Sequence, residues 1–408
     1  MNIITGGVTS PKGFKAASCH AGIKKNGTPD MAMIISDVPC ETAGTFTQNI
    51  IKAAPVIWDR QVVYSGLKTK AVVINSGIAN ACTGKEGMEV CRLTSEAIAE
   101  AVADQPVDSV LIGSTGVIGP QIPMEPVRNG IRMMVPAAAC GPEAGNAAAR
   151  AIMTTDTHPK EVCVTFEIGG KTVTMGGMCK GAGMIHPNMC TMLCYITTDC
   201  DIKKELLQEA LSDVVQDTFN MISVDGDTST NDTVLVLANG MAGNTKVTEK
   251  GAEYNVFYDA LFYVMRELCM MIAGDGEGAT ALFEVKVVNA ETKQQAKVLA
   301  KAVITSNLTK AAIFGHDANW GRIVCAMGYS GAEFDPDKTD LDFVSEGGSL
   351  RIVTDGVATD YSEEEATKIL SYPKVTALID LKAGTAEATA WGCDLTYDYV
   401  KINADYRS

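Results

Sequence analysis

The chain has 408 residues, 46% of them hydrophobic and 20% charged, with a formal net charge of −15. That length allows a large core in two or three structural units, and the absence of any apolar run of about eighteen residues excludes a membrane-spanning helix. The surplus of carboxylates argues against nucleic acid or an anionic membrane as partner and leaves small molecules as the expected ligands.

Thirteen cysteines are scattered without a CxxC pair or a histidine at ligand spacing, so they read as reduced thiols, and neither a metal nor a cofactor is expected. The opening MNIITGGVTSPKGF has no apolar signal core and no Arg-rich amphipathic pattern, and a cytoplasmic location is expected.

Residues 5 to 19, TGGVTSPKGFKAASC, predict a loop entering a first strand. Residues 71 to 75, AVVIN, predict a buried strand, and apolar residues recurring at helical spacing from 87 to 102 predict an amphipathic helix. A second strand is expected at 109 to 113, ending in the small-residue turn STGVIG. A hydroxyl and a free backbone N–H at such a strand end could hold an oxyanion, although the same residues also make an ordinary turn. Residues 147 to 153 read as helical and end in a cap or turn, TTDT. From 162 to 177 a hairpin turns at Gly169-Gly170.

The hairpin delivers the chain to KGAGMIHPNMCTML, residues 180 to 193. Gly181 and Gly183 permit close backbone approach, Pro187 and Asn188 form a turn, and Thr191 stands at the mouth of an apolar strand expected at 192 to 197. A threonine becomes a nucleophile when a nearby base takes its proton. Its own α-amino group, with a pKa near ~8, serves once the preceding peptide bond is cut. A loop running into a core strand is the plain alternative.

Asp201 is a candidate N-cap for a helix from 202 to 222. The following SVDGDTSTNDT is rich in oxygen but lacks the DxDxDG and the glutamate at position twelve of a calcium loop. A strand at 233 to 238 and a helix at 253 to 272 lead to AGDGEGAT, residues 273 to 280. Its acids would repel phosphate and it has no GK[ST], so it suits a loop presenting a carboxylate to an ammonium group. A strand at 281 to 288 and a helix at 291 to 306 follow. His316 lies beside Asp317, but adjacent side chains diverge, which favours a structural role over a catalytic pair. A helix capped by Ser362 comes before the closing YVKINADYRS. Without repeats or strict βαβ order, the elements predict an α/β sandwich of mixed sheets covered by helices.

The segment 180 to 193 resembles the self-cleavage pattern KGxGMxxPxMATML of the ornithine acetyltransferase family, the glutamate N-acetyltransferases of the cyclic arginine pathway. Cys190 stands where that family has alanine, a change that keeps the carbonyl to be attacked but could alter the cutting rate. The resemblance extends along the chain through FTxNxxxAAPV (Phe46 to Val56), GxDxNWGR (Gly315 to Arg322) and the final INADYRS. Ile78 departs from the family's asparagine, so a polar role there is not expected.

The resemblance implies a self-processing fold of the N-terminal-nucleophile type, like that of ornithine acetyltransferases and aminopeptidases. Cleavage between Cys190 and Thr191 would give an alpha chain, 1–190, and a beta chain, 191–408, interleaved and paired as a heterotetramer. It implies Thr191 as nucleophile, the Thr115 hydroxyl and Gly116 N–H as oxyanion hole, and Thr154, Lys180, Glu277, Asn403 and Ser408 as substrate contacts. Lys180 would suit a carboxylate and Glu277 an ammonium. The implied substrates are N-acetylornithine and glutamate, with acetyl-CoA as a possible co-substrate. Two other classes are carried as alternatives: a self-processing amidase or aminopeptidase, in which water takes the acyl group, and a binding protein that stays uncut.

Overall fold

A computed structural model describes residues 1–186 and 192–405 of the protein. Among these residues, mixed parallel and antiparallel strands form two sheets.

The first sheet runs in the order Asn2–Ile4, Lys160–Ile168, Lys171–Lys180, Leu193–Thr198, Thr233–Ala238, Met31–Phe46, Thr69–Ile78 and Leu111–Val117, with Phe14–Cys19 also paired to Met31–Phe46. Its two central strands, Leu193–Thr198 and Thr233–Ala238, run parallel and are buried at every position. Continuous apolar and threonine-rich runs at these positions are what a strand covered on both faces requires. The predicted hairpin is present, with Gly169 and Gly170 at φ 56° and 71°. A two-residue turn matching the strand twist needs these left-handed values.

The second sheet follows the order Val357–Ala358, Gly348–Thr354, Asp340–Ser345, Lys374–Asp380, Leu282–Ala290, Ala386–Cys393 and Ile222–Ser223. The helix Ala252–Gly274 packs against Lys160–Ile168 and Lys171–Lys180 of the first sheet and against Leu282–Ala290 and Ala386–Cys393 of the second. Its buried Phe257, Leu261, Val264, Leu268 and Ile272 belong to one hydrophobic cluster that continues through both sheets. The α/β mixed-sheet architecture with helical cover is therefore present, with this helix between the sheets. Among the described residues no helix is long and apolar enough to cross a membrane.

Several local expectations need correction. The second strand does not stop at 113 but runs through Thr115 and Gly116 to Val117, because Ser76, Gly77 and Ile78 extend the partner strand alongside it. Asp201 does not cap a helix. The helix is Lys204–Asp217, and the Asp201 carboxylate lies 3.5 Å from Lys246 Nζ. A separate single turn at Phe219–Met221 ends the stretch read as one helix. Helices at Ala54–Ser65, Met124–Ala137 and Tyr397–Ala404 lay outside the sequence reading. Ser362 does cap Glu363–Leu370, accepting the Glu365 N–H at 3.3 Å.

Candidate active site

One cavity of about 150 Å³ gathers residues from distant parts of the chain, among them Thr115 and Gly116, Thr154, Lys180, Glu277 and Asn403. Each is placed by a separate element. Thr115 and Gly116 lie near the end of the strand Leu111–Val117, and Lys180 is the last residue of Lys171–Lys180. Glu277 follows the long helix Ala252–Gly274, and Asn403 sits on the helix Tyr397–Ala404.

Thr191, Cys190 and Ser408 lie outside the described residues. Met192, next in sequence to Thr191, is buried and lines the same cavity with Leu193. Leu193 pairs with Lys180 on one side and with Thr233 on the other, and the Met192 carbonyl accepts the Thr233 N–H at 2.8 Å.

Gly116 has φ +131°, and a side chain there would place Cβ 2.2 Å from the Gly77 carbonyl carbon. Glycine is required by both conformation and space. Beside it, the Thr115 hydroxyl oxygen is 3.4 Å from Lys180 Nζ, which donates to it, so the hydroxyl proton is directed elsewhere. Lys180 also donates to Thr154 Oγ1 at 2.8 Å and lies 3.9 Å from Asp156 Oδ2.

Beneath the cavity floor is an ion cluster that the sequence reading did not identify. Lys160 Nζ donates to Asp156 Oδ1 at 2.7 Å and to Asp275 Oδ2 at 2.5 Å, and the side chains of Lys160 and Asp156 are fully buried. Asp156 accepts the Gly181 N–H at 2.7 Å and the Thr154 N–H at 3.0 Å, while Asp275 accepts the N–H and hydroxyl of Thr157. One cation thus ties the threonine loop and the glycine turn after Lys180 to the loop carrying Glu277.

Burial opposes ionisation of Asp156, but Lys180, Lys160 and the Gly181 N–H outweigh it and hold the carboxyl well below the usual range. Lys160 is likewise disfavoured by burial, but Asp156 and its other partners raise it overall. Burial lowers Lys180, with Asp156 opposing that shift.

Glu277 is buried, its N–H donates to the Ala182 carbonyl at 2.8 Å, and its Oε2 accepts from Asn403 Nδ2 at 2.8 Å. Gly183 leaves room for that carboxylate, since a Cβ there would come within 2.3 Å of Glu277 Oε2. Gly183→Ala is therefore expected to push the Glu277 carboxylate out of place and raise KM by roughly tenfold, the equivalent of one lost charge-assisted hydrogen bond, while the melting temperature holds. Unaltered steady-state kinetics would remove Glu277 from substrate binding.

The SVDGDTSTNDT loop braces this site. Asp225 accepts the Met184 and Ile185 N–H groups at 2.6 and 2.9 Å, and Asn231 donates to the carbonyls of Ala79 and Ser114 at 2.6 and 2.8 Å. His316 and Asp317 are not among the cavity's lining residues; the Asp317 carboxylate accepts from Asn319 in the turn before a helix. The lining brings one cation, Lys180, together with two carboxylates, Asp232 and Glu277, in one small cavity, suited to a zwitterionic ligand.

A model described as the ArgJ family matches residues 15–408. The arginine biosynthesis bifunctional protein ArgJ of Symbiobacterium thermophilum is 52% identical over 410 residues, covering 100% of both chains. The protein of the same name from Caldanaerobacter subterraneus is 49% identical over 408 residues, again covering 100% of both. A crystal structure of the arginine biosynthesis bifunctional protein argJ from Bacillus halodurans aligns with a TM-score of 0.51 and 46% identity, covering 53% of this chain and 100% of that one.

Proposed function

The chain belongs to the ArgJ family, and we propose that it is a glutamate N-acetyltransferase moving acetyl from N2-acetyl-L-ornithine to L-glutamate through an acetyl-threonine. The observation that carries this reading is the shared cavity: Thr115, Gly116, Lys180 and Glu277 line it together with Met192, the residue that follows Thr191.

In the first stage the Thr191 hydroxyl attacks the Cys190 carbonyl, and hydrolysis of the resulting ester yields fragments 1–190 and 191–408. The freed α-amino group of Thr191 is then the base that takes the hydroxyl proton. Attack on the acetyl carbonyl forms a tetrahedral oxyanion, stabilised by the Thr115 hydroxyl and the Gly116 N–H. Collapse releases ornithine and leaves the acetyl ester, and the amine of glutamate attacks that ester to regenerate the threonine. Lys180 and Glu277 hold the charged ends of the amino-acid substrates, with Thr154, Asn403 and Ser408 as polar contacts. Acetyl-CoA is a second acetyl donor in this scheme.

The fragments would stay together after cutting. Leu193–Thr198 and Thr233–Ala238, both beyond the cut, lie hydrogen-bonded between Lys171–Lys180 and Met31–Phe46, both before it. Two copies of each fragment would form the heterotetramer, acting in the cytoplasm.

The test is to add N-acetylornithine alone and analyse the protein by mass spectrometry. One acetyl group on the fragment beginning at Thr191 is expected, with parallel double-reciprocal lines at several glutamate concentrations. Intersecting lines without an adduct would mean direct transfer and would sink the covalent scheme.

A further inference from the structure

The strand that begins two residues after Thr191, Leu193–Thr198, and the strand that carries Thr115 and Gly116, Leu111–Val117, belong to one sheet, but three strands stand between them in its order. Laid flat, four steps of ~4.8 Å would part them by roughly 19 Å. They meet because the sheet folds over along Met31–Phe46. Residues Met31 to Ile35 of that strand pair with Thr69–Ile78, residues Glu41 to Phe46 pair with Thr233–Ala238, and the register breaks between Ile35 and Cys40. Leu193, Tyr195 and Leu235 from one half share a hydrophobic cluster with Ile34, Ile74 and Leu111 from the other.

Within a sheet, backbone hydrogen bonds set the distance between strands. Between two stacked faces, side chains set it. The side chain that crosses this gap to the oxyanion strand is Tyr195, which is fully buried. Its hydroxyl occupies the place where Gly113 lacks a side chain, since a Cβ on Gly113 would come 1.9 Å from Tyr195 Oη and 3.2 Å from Cζ. Gly113 has no left-handed φ, so space alone calls for glycine there.

The oxyanion strand ends the sheet order, and its start is tied to the helix Ala54–Ser65. Trp58 Nε1 donates to the Val110 carbonyl at 2.9 Å, and Asp59 Oδ1 accepts the Ile112 N–H at 2.8 Å. Tyr195 Oη, by contrast, has no hydrogen-bond partner among the described residues. A buried hydroxyl without a partner is destabilising, so this one fills space rather than adding a bond. Thr115 and Gly116 follow two and three residues beyond the point it touches. Their use as oxyanion donors depends on their distance from the nucleophile, and a misplacement of about 1 Å costs on the order of 10²-fold in rate.

We propose that Tyr195 is a positioning residue for acetyl transfer: its hydroxyl, seated on Gly113, fixes the separation between the strand that follows the nucleophile and the strand that bears the oxyanion donors. This rests on the acetyl-threonine reading above. Lys180 and Glu277 are held by other elements, so the effect falls on kcat and not on substrate binding.

The test compares Tyr195→Phe, Gly113→Ala and the double variant, with rates taken per fragment beginning at Thr191 and melting temperatures measured alongside. Tyr195→Phe removes one oxygen. Its kcat should fall about tenfold, with the KM for N-acetylornithine within about twofold of wild type. Its melting temperature should hold or rise, because an unpaired buried hydroxyl has gone; a role in packing alone would lower the melting temperature and spare kcat. Gly113→Ala should lose about 100-fold in kcat, since its Cβ and the tyrosine hydroxyl compete for one place. In the double variant the Cβ takes the space that the hydroxyl leaves, and kcat should recover above that of Gly113→Ala, a non-additivity expected only of groups in contact. A Tyr195→Phe kcat within about twofold of wild type, or a double variant no faster than Gly113→Ala, would overturn the proposal. If Gly113→Ala does not fold, the kcat of Tyr195→Phe decides it. A wild type that forms no acetyl adduct with N-acetylornithine would instead sink the acetyl-threonine reading.

Discussion

On the proposed scheme the wild type should run as two bands under denaturing conditions and a Thr191→Ala chain as one of 43.1 kDa, with acetyl transfer lower by at least about 10⁴-fold. In that scheme both losses would come from one missing oxygen: without it the Cys190 carbonyl would have no attacking group and the acetyl nowhere to be held. The effect should not be one of folding. The neighbouring Met192 and Leu193 are held by the main-chain bond from Thr233 and by pairing with Lys180, neither of which uses the threonine side chain. The circular dichroism spectrum should therefore match that of the wild type, and Thr191→Ser, which keeps a hydroxyl, should recover part of both activities. A Thr191→Ala chain that is still cut, or that turns over near the wild-type rate, would show that the nucleophile is elsewhere.

Lys160→Met is expected to be the most destabilising single change in the site. It leaves Asp156 and Asp275 buried without their shared cation, and breaking a buried pair from one side costs about 3–5 kcal/mol. A lower urea midpoint together with reduced turnover would be the result, and Lys160→Arg should restore more than Lys160→Met.

The pH dependence follows from the directions of the shifts. Asp156 is depressed in the folded protein, so its contribution is present above the ordinary carboxylate pKa of ~4 and disappears as pH falls through the lower folded value. Lys160 is raised, so its contribution is complete below the ordinary lysine pKa of ~10.4 and is lost as pH rises through the higher folded value. Between those limits the cluster stays intact. Lys180 behaves differently because burial lowers it and Asp156 supports it. In Asp156→Asn that support is gone, and the alkaline limb of the kcat/KM profile should move to lower pH. A profile superimposable on that of the wild type would separate Asp156 from the charge state of Lys180.

Local patterns carried much of this fold. The Gly169-Gly170 hairpin, the strand Thr233–Ala238, the helix Ala252–Gly274 and the Ser362 cap each depend on interactions within a few residues or on a long apolar run, and each was legible. The motif residues Thr115, Thr154, Lys180, Glu277 and Asn403 were also named from sequence, through their resemblance to a family.

What sequence alone left open was decided at longer range. The strand through Thr115 and Gly116 continues because a second strand lies beside it, a fact that the small-residue run STGVIG does not contain. Asp201 has the right chemistry for a cap, but the helix begins later and Lys246 takes up its charge. Lys160 lies before the hairpin expected from 162 to 177, and no local pattern singles it out. Only the packing of the Thr154–Thr157 turn against the loop carrying Asp275 buries it and makes it the link between two walls of the site. Chemistry and short-range geometry are written in the order of residues. Burial and the meeting of distant charges depend on how the sheets and helices close on one another.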